Sequence, residues 1–553
     1  MTPDRGPGTR GGPGDPDAVV VGSGPNGLVA ANLLADAGWS VVVLEAQDEP
    51  GGAVKSAEDV RPGWVHDTFS SFYPLAAASP TIHGLGLERH GLEWVRAPAS
   101  VGHPLPGGRW AVVHPRPEDT AAALDRLHPG DGEAWLRVCA LWDRVGADLV
   151  GALLTPFPPL RAGLRLGAKV PRLGGLAFAR ELLLPVRRLG DEWFGGEGPK
   201  LLLAGNAAHA DIAMDAPGSG LLGLLLAMLG QSHGFPVPRG GAGRLTAALV
   251  ARFESLGGEI RTGVRVNQVE VRSGRAVGVR LGDGEHIRAT RAVVADVSAP
   301  ALFGGLVPWS QLPDGLRRRM RSFEWDAGTV KIDWALSGPV PWASAPELTP
   351  GTVHLADSVG DLAIAGAQLA SGRVPDRGLV ILGQMAATDP TRAPRGSESL
   401  WAYLHVPQRR SRADQAHPEP VDEPRAELVA HQVEERIEEY APGFRDRVLD
   451  RRVLGPAELE RRNENLVGGA VNGGTAAIHQ QLFWRPVPGW GRPETPVQGL
   501  YLASASAHPG GGVHGACGSN AARAALAHDR LERLTARRIR PVGPGPRLGR
   551  RQP

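Results

Sequence analysis

The sequence predicts an α/β protein of two domains, one built on a parallel sheet and the other on a mixed sheet with helices. Three observations carry this. Asp17 to Asn32 reads as strand, tight glycine turn and helix, and Val41 to Leu44 adds a second strand closed by Glu45. Near the far end, Leu500 to Leu526 reads as a short apolar strand, a glycine run and a helix of small residues. At 553 residues the chain is too long for one simple core.

The first unit is a Rossmann-like Gly-x-Gly-x-x-Gly turn in its full setting of strand, helix and acid. Gly22 allows the turn, Gly24 lets the backbone around Ser23 approach a pyrophosphate, and Gly27 lets the helix pack on the strand. The helix start then offers free N–H groups and a partial positive charge to phosphates. Glu45 follows Gly27 at the distance expected of an acid that binds ribose hydroxyls. The next turn, Pro50-Gly51-Gly52, looks like the extended fingerprint of two-domain FAD flavoproteins; the alternative is an ordinary surface turn. Gly51 and Gly52 would let the chain pass the middle of the cofactor without side-chain collision.

Short strands and turns follow over Val60 to Pro117, and a mostly helical pattern runs from there to Gly230. Leu221 to Leu229 is the most apolar run. It is far short of the ~20 residues that span a bilayer, so it reads as a core helix, with a tunnel lining or a membrane-dipping face as the sharper alternative. Arg244 to Leu256 reads as a helix, and Glu259 to Val264, Val266 to Val271 and Ala276 to Leu281 read as strands. Arg291 to Asp296 reads as a strand returning to the nucleotide layer, with Asp296 either capping it or touching the cofactor. Ala327 to Leu336 and Gly378 to Ala386 read as strands of a second sheet, and Glu427 to Glu439 as a charged surface helix.

The C-terminal unit runs from Leu500-Tyr501-Leu502-Ala503 through Ser506 and His508-Pro509-Gly510-Gly511-Gly512-Val513-His514-Gly515 into a helix. The glycines permit a close cofactor approach, and the helix start would turn its positive end to the pyrimidine edge of a flavin. His508 is the best titratable candidate there, with a pKa expected near neutrality, either as acid or base or as a fixer of the loop. His514 is a weaker candidate. His209, Asp211 and Asp215 have no standard metal-ligand spacing and read as a polar loop, so no metal is expected.

Taken with Gly240-Gly241-Ala242-Gly243-Arg244-Leu245, these motifs make the chain resemble the phytoene desaturase family of FAD oxidoreductases from about Asp17 to Leu534. The resemblance implies a two-domain flavoprotein, FAD as cofactor, and an apolar isoprenoid-like or lipid substrate. It implies cofactor contacts at Gly22, Ser23, Gly24, Gly27, Glu45, Gly51, Gly52, Ser506, Gly512 and Val513, with the backbone of Val266 at the adenine. The FAD domain is then expected over residues 17–116, 240–310 and 490–534, and the substrate domain over 117–239 and 311–489. Two departures bear on whether the substrate is a true carotenoid: Ala53 stands where those desaturases usually have Arg, and Asp67 to Phe72 replaces their usual turn.

The chemistry expected is hydride transfer from a substrate C–H to flavin, creating a C=C bond. No second strand, glycine turn and helix unit is evident, so oxygen or a membrane quinone is expected to reoxidise the flavin rather than a nicotinamide. Two other readings stand. A flavin amine oxidase shares the two-domain plan, but the C-terminal motif lacks an aromatic residue, and of four lysines only Lys331 suits a cleft. A flavin-bound regulator without robust turnover is the third.

A net charge of +2 gives no nucleic-acid signal. Cys139 and Cys517 are far apart and form no Cys-x-x-Cys pair, so both read as small buried residues in a reducing compartment. Residues 1–16 and 535–553 read as disordered tails, the first without a secretory h-region and the second basic. A cytoplasmic location follows, with the C-terminal arginines as a means of peripheral membrane contact. Oligomeric state has no signature in the sequence.

Overall fold

The computed structural model describes residues 14–408 and 421–538. Its nucleotide layer is a five-stranded parallel sheet in the order Leu500–Leu502, Ala292–Ala295, Ala18–Val21, Val41–Leu44, Glu259–Arg261. The three central strands are Val- and Ala-rich and wholly buried, as parallel strands covered on both faces must be. The N-terminal helix Pro25–Asp36 and the C-terminal helix Ala516–Arg538 pack together on one face. The antiparallel strands Val266–Arg272, Arg275–Leu281 and His286–Arg288 form a separate small sheet, joined to the nucleotide layer through one apolar core.

The second layer is a seven-stranded mixed sheet in the order Val448–Leu454, Gly328–Leu336, Glu398–Val406, Val380–Gln384, Pro350–Leu355, Ala99–Leu105, Arg109–Val112. All its pairs are antiparallel except Ala99–Leu105 with Pro350–Leu355. One face packs on the helix Glu423–Tyr440. The other carries a helical layer of Asp131–Leu154, Glu197–Ala208 and Ser219–His233, which shares the largest apolar core with it. The run around Leu224 is thus a core helix, as its composition suggested.

Two boundaries differ from the sequence expectation. Residues 99–112 belong to the second sheet rather than to the FAD domain, because Ala99–Leu105 finds its pairing partner at Pro350–Leu355, a contact with no local signal. The C-terminal helix continues to Arg538, past the expected start of the tail at 535. At the other end, the Pro16 carbonyl already accepts the Thr290 N–H at 3.0 Å. The rest of both tails, including the C-terminal arginine cluster, lies outside the described residues.

Candidate cofactor and substrate site

The fingerprint loop is built on close approach. Gly22 has φ +94°, and a Cβ there would lie 2.8 Å from the Asp296 carbonyl oxygen. A Cβ on Gly24 would lie 2.6 Å from Asp296 Oδ2, and one on Gly27 would lie 2.2 Å from the Gly22 carbonyl. Gly24 was expected to be glycine for the sake of a pyrophosphate; within the protein itself, the Asp296 side chain already requires it. Asp296 Oδ2 accepts the Gly27 N–H at 2.8 Å, so the residue serves the loop rather than only ending its strand. Burial holds the Asp296 carboxyl well above the usual range, against the lowering effect of the Gly27 bond; the nearby Glu45 raises it further.

Glu45 is buried at the end of its strand. Its carboxylate accepts the Ser23 N–H at 2.9 Å, the Ser23 hydroxyl at 2.6 Å and the Gln47 N–H at 2.9 Å. Ser23 therefore orients the acid. The Glu45 carbonyl accepts the Val264 N–H at 2.8 Å, which brings the approach to Val266 alongside it. Gly51 donates its N–H to the Ser23 carbonyl at 3.0 Å, and a Cβ on Gly52 would lie 2.9 Å from Gly24 Cα. The glycine pair is packed on the fingerprint loop and is not a free surface turn.

The C-terminal motif meets this loop from the other side. A Cβ on Gly518, in the first turn of the C-terminal helix, would lie 1.9 Å from the Asn26 carbonyl oxygen. Gly512 has φ +118°, and a Cβ there would lie 2.6 Å from Leu75 Cδ1. Val513 has φ +55°, a strained conformation for a β-branched residue, at the position the resemblance assigns to a cofactor contact. His514 Nδ1 accepts the Ala516 N–H at 3.0 Å and so caps the helix as a neutral ring, burial pushing its pKa down to about 4. Cys517 is buried with its thiol pushed up to about 12, and Cys139 is likewise buried; neither is poised for redox chemistry.

His508 Nε2 lies 2.9 Å from the Thr155 carbonyl. Burial drives its pKa down to about 4, not near neutrality as the sequence suggested, because the C-terminal loop is covered by the end of the helix Asp131–Leu154. The buried oxygens Asn26 Oδ1, Ser506 Oγ, Ser519 Oγ and Asn520 Oδ1 have no partner among the described residues. A glycine cradle, an oriented acid and unpaired polar atoms at two converging helix starts fit FAD.

Sequence reasoning missed Arg485. Its guanidinium is fully buried and donates to the carbonyls of Ala505 at 2.8 Å, Thr475 at 2.9 Å and Asn472 at 3.1 Å. It ties the loop 472–475 to the C-terminal motif, and burial lowers its pKa to about 10. Asp326 holds the same loop from the opposite side, accepting the Asn472 and Gly474 N–H groups at 2.7 and 2.8 Å. Burial, aided by Asp211, raises its pKa to about 6. No sequence pattern marks Arg485, since its partners are backbone atoms of two distant loops.

The 472–475 loop also borders a cavity of about 1540 Å³. Its apolar wall includes Ile212, Met214, Leu362, Leu369 and Leu379; its polar wall includes Asp211, Asp326 and His405. Asp211 forms an ion pair with His405, whose pKa is raised by this carboxylate in spite of burial, which lowers it. Behind them runs a chain of rings: Tyr403 hydroxyl to His209 Nδ1 at 3.2 Å, His209 Nε2 to His354 Nε2 at 2.9 Å, and His354 Nδ1 to His103 Nε2 at 3.1 Å. Burial holds His103 and His209 near pKa 3, so these rings are neutral. The expected polar loop at His209 and Asp211 is thus part of a largely buried network, while Asp215 pairs with Arg187 near the surface. Among the described residues no group of His, Cys, Asp and Glu could hold a metal. Lys331 does not line the cavity; it is ion-paired with Asp333 and lies 5.8 Å from the centroid of the Trp401 ring.

Fold and site together define a two-domain flavoprotein oxidoreductase with FAD as its cofactor. The sequence profile of the flavin-containing amine oxidoreductase family matches residues 155–437, and that of an NAD(P)-binding Rossmann-like domain matches residues 20–83. The chain belongs to this flavin-containing amine oxidoreductase family. It is 32% identical to pyridine nucleotide-disulfide oxidoreductase domain-containing protein 2 of Rattus norvegicus over 552 residues, 92% of each chain. It is 26% identical to a neurosporene-forming phytoene desaturase of Cereibacter sphaeroides, covering 93% of this chain and 94% of the other. Putrescine oxidase bound to putrescine shares the fold, with a TM-score of 0.59 at 15% identity over 93% of this chain and 99% of that one.

Proposed function

We propose that the protein is a dehydrogenase that introduces a C=C bond into an apolar, isoprenoid-like or lipid substrate, with oxygen or a quinone as final electron acceptor. The observation that carries this reading is the large cavity bordered by the 472–475 loop, with apolar residues Ile212, Met214, Leu362, Leu369 and Leu379 in its wall. The likeness to phytoene desaturases over nearly the whole chain supports it. When bound, FAD supplies the hydride acceptor. The chain's own residues hold the fingerprint loop, the 472–475 loop and the C-terminal loop in one arrangement, and the apolar wall excludes water from the substrate. A cytoplasmic location with peripheral membrane contact suits such a substrate. Among the described residues no helix is long and apolar enough to cross a membrane.

An amine oxidase is the second reading, favoured by the carboxylates of Asp211 and Asp326 in the cavity wall. Against it, Asp211 is already paired with His405, both oxygens of Asp326 already accept backbone N–H groups, and Lys331 lies outside the cavity. Anaerobic flavin reduction followed by absorbance separates the readings. Bleaching by isoprenoids or lipids and not by amines is the expected result. Bleaching by amines alone overturns the proposal, and no bleaching by any class would favour a regulator that binds FAD without turnover.

A further inference from the structure

The segment from Leu160 to Leu183 presents large apolar side chains to solvent in a basic setting. Leu160, Leu164, Leu176 and Leu183 are 68%, 74%, 89% and 60% exposed. A monomer rarely displays several leucines so fully in one short stretch. Leu160 and Leu164 are four residues apart on the helix Leu160–Lys169 and share a face. That helix is fixed to the body on its other side, where Ala162 is buried and Lys169 Nζ donates to the Arg144 carbonyl at 2.6 Å. The next short helix, Leu176–Glu181, is anchored by buried Phe178 and leaves Leu176 outside. The exposed leucines are therefore not the core side of loose helices; each helix already has an inward anchor.

The charges of this segment are predominantly basic. Arg161, Arg165, Lys169, Arg172 and Arg180 stand against the single acid Glu181. Arg165 and Lys169 pair with Asp148, and Arg180 pairs with Glu192. Arg161 and Arg172 are exposed and have no acidic partner among the described residues. Exposed leucines interspersed with unpaired arginines are the pattern of a helix that lies in a membrane interface.

Just past its C-terminal end, the chain is tied toward the cavity wall. The carbonyls of Leu183 and Leu184 accept the N–H groups of Gly218 and Gly220 at 3.0 and 3.1 Å. The Arg187 N–H donates to the Met214 carbonyl at 3.4 Å, and Met214 and Ile212 line the cavity.

We infer that Leu160 to Leu183 is a docking face for an anionic lipid bilayer, set against the cavity so that an apolar substrate enters from the membrane. The choice of substrate rests on the proposed dehydrogenase function; the membrane contact does not. A second copy of the chain is the poorer occupant, because an isologous contact would set this basic patch against itself. An acidic protein would satisfy the arginines but leave the leucines without an apolar partner that anything in the charge pattern specifies.

Flotation of the FAD-loaded full chain with phosphatidylcholine vesicles, with and without 30% phosphatidylglycerol (about one lipid in three, enough for a negative surface potential), tests this. The expected result is at least tenfold stronger partition into the anionic vesicles. Leu164→Asp combined with Leu176→Asp should reduce it at least tenfold, and Arg161→Glu with Arg172→Glu should abolish the preference for anionic lipid. These positions are exposed, so FAD content and melting temperature serve as checks that the variants fold. Deletion of residues 539–553 should leave most of the binding. Binding that survives both double variants, or that vanishes with the tail alone, overturns the inference. So does a dimer in solution that Leu176→Asp dissociates while vesicles are ignored. Vesicle binding without flavin reduction by any isoprenoid would instead leave this face standing and remove the dehydrogenase reading.

Discussion

Gly518 and Asn26 come from opposite ends of the chain, yet a side chain on the first would lie 1.9 Å from the carbonyl oxygen of the second. This contact joins the two helix starts that flank the cofactor site. The side-chain oxygens of Asn26, Ser519 and Asn520, which have no partner among the described residues, lie at these two helix starts.

Gly518→Ala should therefore force the helices apart. Overpacking against backbone costs about 1–3 kcal/mol, and this contact is closer than any flexible neighbour could relieve. The expected outcome is a lower melting temperature together with reduced FAD occupancy, read as the ratio of flavin to protein absorbance. A variant with full FAD and an unchanged melting temperature would show that the helices are not in this contact.

In the fingerprint loop, Gly24→Val should abolish FAD binding, since its Cβ would collide with Asp296 even before a pyrophosphate is present. Glu45→Ala should weaken binding by less, ~1–3 kcal/mol, by removing hydrogen bonds and leaving the phosphate cradle. Titration of apoprotein with FAD by flavin fluorescence ranks the two.

Asp296 gives a pH prediction with a definite sign. Its folded pKa is raised, so the folded state retains a proton that the unfolded state loses above about pH 4. Stability falls as pH rises from there until the folded pKa is passed. Asp296→Asn keeps an acceptor for the Gly27 N–H and removes that dependence. The stability difference between variant and wild type should move in the variant's favour from pH 5 to pH 8, as followed by thermal melts. A difference that stays flat over that range would remove Asp296 as a buried, protonated group.

His405 has a linkage of the same sign in a higher pH window. Its folded pKa is raised by Asp211, so the stabilisation from the pair is full below the unfolded value of about 6.5 and is lost as pH rises through the folded value. Asp211→Asn should destabilise more at pH 6 than at pH 9 and lower the midpoint of the His405 NMR titration. An unmoved midpoint would mean that the two side chains are not paired.

His508→Ala should reduce FAD affinity through the loss of its contact with Thr155, while the pH profile of flavin reduction keeps its shape near neutrality. Loss of a limb near neutrality would make His508 an acid or base after all. In stopped-flow mixing under argon, NADPH should reduce the flavin slowly or not at all. Fast bleaching would reveal a nicotinamide site and turn the reading toward a reductase.

The nucleotide layer was legible in the sequence because its information is local. A buried parallel strand is an apolar run, a phosphate turn needs glycines at fixed offsets, and the ribose acid lies one strand further on. The sequence by itself thus determined the fold class and the cofactor, and it marked the loop from Gly22 to Gly27 and the acid Glu45 as a local unit. Only the tertiary structure decided that residues 99–112 belong to the second sheet, that Asp296 fills the space left by Gly24, and that Arg485 ties two loops together. It alone assembled the rings of His103, His209, His354 and Tyr403. Each of these depends on atoms brought together from distant segments, and several of the partners are backbone carbonyls that every residue type possesses. Such contacts leave no periodicity, spacing or composition to read; they exist only once the sheets have packed.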